Sequence, residues 1–547
     1  MSMSRALPVC EYADRRVMNW AFFHITRFII AAALAVGCVP VSFAQPAVTT
    51  YHNDNARTGQ NLQETILKPG NVNKTLFGKL FSVAVDGAIY GQPLYLPKVT
   101  VAGKGVHNVV FAATQHDSVY AFDADSNSGA NAQPLWHRSF INPAQGINVV
   151  SSSNVACSDL TPEIGITSTP VIDTSSNTMF VVVRTRENAQ YVQRLHALDV
   201  ASGAEKFSGP RVISGKVVGK NGTITFNPLR QNQRAGLVLT NGKVYIAWAS
   251  HCDNGPYSGW IMAYDARTLA QVGIWNSVPN GSDAGIWLSG AAPAADSSGN
   301  VYVSTGNGTF DANVGGPDYG DSIVKLGPPS SGKLPVIDYF TPFNQSALNN
   351  GDTDLGSGGI MLIPTQPAGS PHPQMLIQGG KEGTLYILDR TKMGHFHAGS
   401  DSQIIQSMPG NSAFFGTPAW WNNTIYVGAK NGNMKALVYD KVSGQLSSSG
   451  SRTVTFFGFP SSTPSISANG TSNGILWVLQ NDAAGSQGPA VLHAYNATNI
   501  ATELYNSKQL ATRDNPGPAV KFTVPTVSNG KVYVGTAKTL SVFGLLF

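Results

Sequence analysis

The chain has 547 residues, with 57 Gly, 32 Pro, 12% charged and 42% hydrophobic side chains. That apolar content excludes general disorder, and the lack of Glu/Lys/Leu-rich heptads excludes coiled coils and helical bundles, leaving a globular protein of strands and turns. A formal net charge of +5 without any Lys/Arg block gives nucleic-acid binding little electrostatic support.

Residues 28–44 (FIIAAALAVGCVPVSFA) form an apolar run behind Arg27 that ends in Ser42-Phe43-Ala44. Small residues at Ser42 and Ala44 predict signal-peptidase cleavage before Gln45, so 1–44 reads as a signal peptide and the mature protein as periplasmic or extracellular. The run is too short and too broken by Gly and Pro for a membrane span of about 20 residues, so no span is expected. Gly37-Cys38 leaves lipid attachment as the alternative. After cleavage the remaining cysteines are Cys157 and Cys252. In an oxidising compartment they are a disulfide candidate, and closing so long a loop stabilises by roughly 4–5 kcal/mol. No Cys-x-x-Cys-His occurs, so no covalently held haem is expected.

Behind a lead-in at 45–75, a recurring unit governs 76–547, read as one domain. Val/Tyr-rich strands are predicted at 109–114, 179–183, 244–248, 301–305, 375–378, 425–428, 475–479 and 532–536. Closing strands end at Asp123, Asp199, Asp265, Leu326, Asp389, Asp440, Asn496 and Gly544. Copies recur about every 50–75 residues, room for one four-stranded antiparallel sheet each. Asn241-Gly242, Asn431-Gly432 and Asn529-Gly530 supply hairpin turns. One such sheet cannot bury both faces, whereas eight arranged radially can. The expectation is an all-β, eight-bladed β-propeller, with seven blades if one repeat is miscounted. Surplus loops at 141–162, 249–260, 306–320 and 341–358 place function on repeats two to five.

The unit S/T-x-P…G-x-V-Y-V-G-T…G-x-L-Y-A-x-D is carried by Thr523-Val524-Pro525, Val532-Tyr533-Val534-Gly535-Thr536 and Gly383-Thr384-Leu385-Tyr386-Ile387-Leu388-Asp389. It resembles the PQQ-type (quinoprotein alcohol dehydrogenase-like) propeller repeat. Tyr51-His52-Asn53-Asp54-Asn55-Ala56-Arg57-Thr58-Gly59 resembles the lead-in before such propellers. Three further matches come in the family's order. Ser304-Thr305-Gly306-Asn307-Gly308 resembles the segment whose Asn binds calcium; Asp352-Thr353-Asp354 falls where the catalytic Asp is placed; Gly380-Lys381-Glu382-Gly383 resembles the segment whose basic residue contacts the cofactor's carbonyl oxygens.

The resemblance implies PQQ and calcium as cofactors. Asp354 or Asp352 would be the base, and Lys381 and Trp287 would meet the quinone. Asn307, Asp354, Asp253 and Asn254 would be metal donors, with Glu187 competing for the place of the family's calcium Glu. Such residue types suit the chemistry. A hard cation polarises a quinone carbonyl, a carboxylate takes the alcohol proton, and a fixed cation stabilises charge on the reduced ring. The adjacent cysteine pair typical of those dehydrogenases is absent. Each residue also has an ordinary structural reading, as a turn Asn, a loop-shaping Asp or a solvated Lys. Trp420 and Trp421 read as blade-seam packing, and His395 and His397 lack a third metal ligand.

The expected function is therefore an exported calcium-dependent quinoprotein dehydrogenase that oxidises an alcohol or sugar hydroxyl and passes electrons to an external acceptor. Non-catalytic scaffolds share the repeat, so a binding propeller for a protein or glycan is the first alternative. A polysaccharide-cleaving propeller with a His/Tyr or Lys/Tyr pair in its central mouth is the second.

Overall fold

Strand signals and turn signals fall in phase along this chain, and each repeat closes into its own sheet. Asn241-Gly242 and Asn529-Gly530 both adopt positive φ and join paired strands through two-residue loops (Thr240 opposite Lys243, Ser528 opposite Lys531). That is the backbone a twist-matched hairpin requires. The computed structural model describes residues 46–447 and 450–546; the expected signal peptide at 1–44, with Cys38, lies outside the described residues. Eight small antiparallel sheets form the blades of a propeller, with one extra hairpin, Lys216–Gly219 with Gly222–Thr225. Helix is confined to short turns such as Gln345–Asn350.

Blade 1 runs from the hub outward as Leu94–Val101, Gly105–Thr114, Ser118–Asp123 and Trp136–Ser139. The innermost strands of blades 2 to 8 are Val171–Asp173, Val238–Thr240, Ala294–Ala295, Met361–Ile363, Ala419–Trp421, Ser465–Asn469 and Thr526–Ser528. The strand expected at 179–183 extends over Thr178–Glu187, because its far end pairs with Ile147–Val149 from the surplus loop. Tyr245, Tyr302, Tyr426 and Tyr533, one from each of four second strands, are almost wholly buried in the seams between blades. Trp420 and Trp421 are buried as well, Trp421 donating to the Gly470 carbonyl at 2.9 Å.

Two features of the N-terminal segment were not legible in the repeat. First, blade 8 takes its outer strand from the start of the domain: Phe77–Ala84 pairs antiparallel with Thr539–Leu545, so the ring is closed by joining its two ends. Second, the segment around 48–64 threads the hub and bonds to the innermost strand of every blade. Val48 exchanges both backbone bonds with Tyr95, and the Thr49 carbonyl accepts the Ile172 N–H at 2.8 Å. The Asn55 amide donates to Leu239 at 2.8 Å while its carbonyl accepts from Ala295 at 2.7 Å. The carbonyls of Ala56, Thr58 and Gly59 accept from Leu362, Trp420 and Ile466, at 2.8, 2.8 and 2.7 Å. The Asn61 amide reaches Val527 at 3.1 Å. Inward-facing backbone groups that eight short strands would leave unpaired are thus satisfied by one continuous peptide.

Arg57 locks this peptide. Its side chain is fully buried, and its Nε and Nη2 donate to the Pro293 carbonyl at 2.9 and 2.8 Å, while Nη1 donates to Thr50 Oγ1 and the Tyr51 and Asp54 carbonyls. Gly59, at φ 67°, could not carry a Cβ, which would lie 2.3 Å from His52 Nε2. Arg57→Ala strands several buried carbonyls and should destabilise the protein by about 3–5 kcal/mol. Thermal unfolding followed by circular dichroism would show a large fall in Tm, and an unchanged Tm contradicts the locking role.

Candidate functional site

Antiparallel blades bring two kinds of loop to one end of the ring: the segments that lead into the innermost strands and the turns between second and third strands. Together they line a hub cavity of about 270 Å³. Arg234, Trp287, Asp354, Phe415, Phe459 and Phe522 come from the first kind, and Cys252, Asp253, Tyr257, Gly306 and Lys381 from the second.

The structure brings the three family-like segments together on this wall. The Asn307 backbone N–H donates to Asp354 Oδ1 at 2.9 Å, and its side-chain amide donates to Asp352 Oδ1 at 2.8 Å. Lys381 Nζ lies 2.6 Å from Asp354 Oδ2 and 3.2 Å from Asp352 Oδ1. Gly306 makes this approach possible, since a Cβ there would lie 2.4 Å from Asp354 Oδ1. Burial disfavours the Lys381 ammonium, but the two carboxylates outweigh it and hold its pKa above the usual lysine value. Asp354 lines the cavity, whereas Asp352 is largely exposed and stands outside the lining.

Trp287 also lines the cavity, at the head of a ring cluster that the sequence reading missed. Its centroid lies 6.1 Å from Phe415 and 5.5 Å from Phe522, edge to face in both cases, and Phe459 packs on both phenylalanines. A signal existed: Phe415 and Phe522 each stand three residues before the proline that opens an innermost strand, Pro418 and Pro525. The cavity therefore draws on blades 6 to 8 as well as on repeats two to five.

The expected metal donors divide. Asn307 Oδ1 is buried and has no hydrogen-bond partner, so it is free to meet a cation. Asp253 Oδ1 instead accepts from Ser250 Oγ at 2.9 Å and Tyr257 OH at 2.7 Å. The Asn254 amide donates to the Val155 and Ala156 carbonyls at 2.9 and 3.0 Å, and the residue stands outside the cavity lining. Glu187 is engaged with Arg194 and Thr185 and is absent from the lining. Calcium takes six to eight oxygens. Asn307 and Asp354, whose carboxylate already meets Lys381 and the Asn307 N–H, are too few to form a protein-built cage. Cys157 and Cys252 are bonded as a disulfide, and with Asn254 they pin the 150s loop to blade 3 beside the cavity.

Behind Asp354 sits a carboxyl the sequence reading overlooked. Asp321 is fully buried, accepts the Leu355 N–H at 3.1 Å, and leaves Oδ2 unpartnered. Burial, with the nearby Asp354 charge, pushes its pKa up to about 8 against the pull of that N–H. Between the ordinary aspartate range and that value the folded protein holds a proton the unfolded chain has lost, so stability falls as pH rises from about 4 to 8. Asp321→Asn should remove this slope: its Tm relative to the parent should climb between pH 5 and pH 8. A difference independent of pH contradicts the assignment.

No protein-family model matches the chain, and no curated protein matches it in sequence. Its fold is similar to that of the quinohaemoprotein alcohol dehydrogenase from Comamonas testosteroni, at 16% identity and a TM-score of 0.58, covering 91% of this chain and 80% of that one. A quinohaemoprotein alcohol dehydrogenase from Pseudomonas putida HK5 is similar at 14% identity, a TM-score of 0.58 and the same coverage. A europium-containing methanol dehydrogenase is similar at 14% identity and a TM-score of 0.59, covering 91% of this chain and 98% of that one. At such identities the likeness establishes architecture: the chain is an eight-bladed β-propeller of the kind those dehydrogenases share.

Proposed function

We propose that the protein is an exported, PQQ-binding oxidoreductase acting on an alcohol or sugar hydroxyl and handing electrons to a separate carrier. The observation that carries this reading is the Lys381–Asp354 ion pair on the wall of a hub cavity that Trp287 also lines, with Asn307 donating to Asp354 from outside that lining. The likeness of its fold to alcohol and methanol dehydrogenases supports it by analogy. The Cys157–Cys252 disulfide supports export, since such bonds persist in oxidising compartments.

The cavity's residue types fit the group. Trp287, Phe415, Phe459 and Phe522 give a flat ligand apolar surface, while Lys381, Lys521 and Arg234 offer positive charge to its carboxylates. Bound PQQ would supply the two-electron acceptor that no side chain here provides. Asp354 would accept the substrate's hydroxyl proton, held in place by the Asn307 N–H. Lys381 would hold that carboxylate through its ion pair and present its remaining N–H bonds to an adjacent oxygen. A cation, if present, would use Asn307 Oδ1 together with Asp354. Tyr257 shares the cavity with Lys381, yet burial and the Asp253 charge push its phenol pKa well up, against the ionisable base that a polysaccharide lyase needs.

Titrating the purified protein with PQQ, with and without Ca²⁺, and following quinone absorbance and alcohol-dependent dye reduction tests the proposal. Stoichiometric binding is expected. Asp354→Asn should keep the quinone but lose roughly 10²–10⁴-fold in turnover, and Lys381→Ala should weaken quinone binding. Absence of any bound quinone overturns the reading and favours a non-catalytic propeller.

A further inference from the structure

One charge on the cavity wall has no counter-ion. Arg234 is fully buried, yet Nη1 to the Thr167 carbonyl, at 2.7 Å, is its one side-chain hydrogen bond, and Nη2 has no partner. Arg57, also fully buried, has the Asp54 carboxylate close by. For Arg234 the compensating groups are the phenols of Tyr90 and Tyr51, which are neutral. An isolated guanidinium taken out of water is costly unless an anion and hydrogen bonds accompany it.

The surroundings hold this guanidinium in place without neutralising it. It lies over the Tyr90 ring at 5.4 Å and the Phe522 ring at 5.9 Å from the centroids. Gly290, at φ 92°, leaves it room, since a Cβ there would come within 2.1 Å of Nη1. Phe522 itself sits at φ 67°, a conformation bulky residues avoid, so the backbone bears strain where the ring meets the arginine. Lys521 lies on the same wall and feels the Arg234 charge as repulsion, while its own nearest carboxylate, Asp159, is 4.0 Å away and mostly exposed. Two cations therefore face one small, aromatic-lined space.

We propose that Arg234, assisted by Lys521, is the anchor for the carboxylate of a planar aromatic acid, which would give this guanidinium the anionic partner that the protein's own carboxylates do not. The acid's ring would lie among Trp287, Phe415 and Phe522, and its carboxylate would take the unused guanidinium N–H donors. This assignment rests on the uncompensated arginine and not on the quinone reading, since the acid can be PQQ, which carries carboxylates on a fused ring, or a simpler substrate.

Thermal shift and intrinsic tryptophan fluorescence of the full mature protein, titrated with benzoate and separately with PQQ, test it. At least one acid should raise Tm and change the fluorescence. Arg234→Met, close in volume but uncharged, should weaken that response at least tenfold, and Arg234→Lys should keep part of it. Without ligand, Arg234→Met should melt at or above the parent, because it removes a buried charge. A response to PQQ alone identifies the cofactor as the acid, and a response to benzoate alone removes the quinone reading while supporting this one. The proposal is overturned if the parent responds to neither acid. It is equally overturned if Arg234→Met folds and responds like the parent, which would leave PQQ binding intact and this anchor refuted.

Discussion

The hub of this propeller is held by backbone hydrogen bonds between one threaded peptide and eight innermost strands. Short hub strands are poor at satisfying their own inward N–H and C=O groups, because the ring leaves no further strand to pair with. The segment around 48–64 supplies the missing partners at the centre of each inner strand, from Tyr95 in blade 1 to Val527 in blade 8. Arg57 then ties the thread to itself and to Pro293. Blade order and blade spacing are thereby fixed at the axis, and with them the positions of the loops that build the cavity.

That rigidity explains how loops from different blades present a few polar atoms within hydrogen-bond distance. Asn307 of blade 4, Asp354 from the connection into blade 5 and Lys381 of blade 5 meet because the inner ends of neighbouring blades are held at constant separation. Gly306 and Gly290 remove the side chains that would prevent close approach to Asp354 and to Arg234. The electrostatics follow from the same crowding. Asp354 and Lys381 compensate each other, Asp321 escapes ionisation by burial, and Arg234 is left positive with phenols and aromatic faces around it. An unpaired guanidinium of this kind gains more from an anionic partner than from a neutral one.

The architecture was written in the sequence because period-two strands, Asn-Gly turns and closing Asp residues repeat in register, and repetition leaves few folds open. The ring closure by Phe77–Ala84 was not, since a strand donated from the far end of the domain carries no local mark of its partner. For the site, Asn307, Asp352, Asp354 and Lys381 were found through segments resembling a family, and the structure sets them side by side. That Asn254 ties its loop to Val155 and Ala156 was not legible, because a loop's direction is decided by tertiary contacts. Arg234 and Asp321 were invisible for a different reason. Nothing in a sequence says which arginine ends up without a carboxylate, or which carboxylate ends up without water.

The central claim is that the hub cavity holds a planar, acidic redox ring between the aromatic cluster and the Lys381–Asp354 pair. A crystal structure of the mature protein grown with PQQ tests it most directly. The account predicts a flat tricyclic density in the hub, with a quinone oxygen against Lys381 Nζ and a carboxylate against the Arg234 guanidinium. A cavity left closed by Trp287, Phe415 and Phe522, or a ligand seated on the outer edge of the blades, contradicts it.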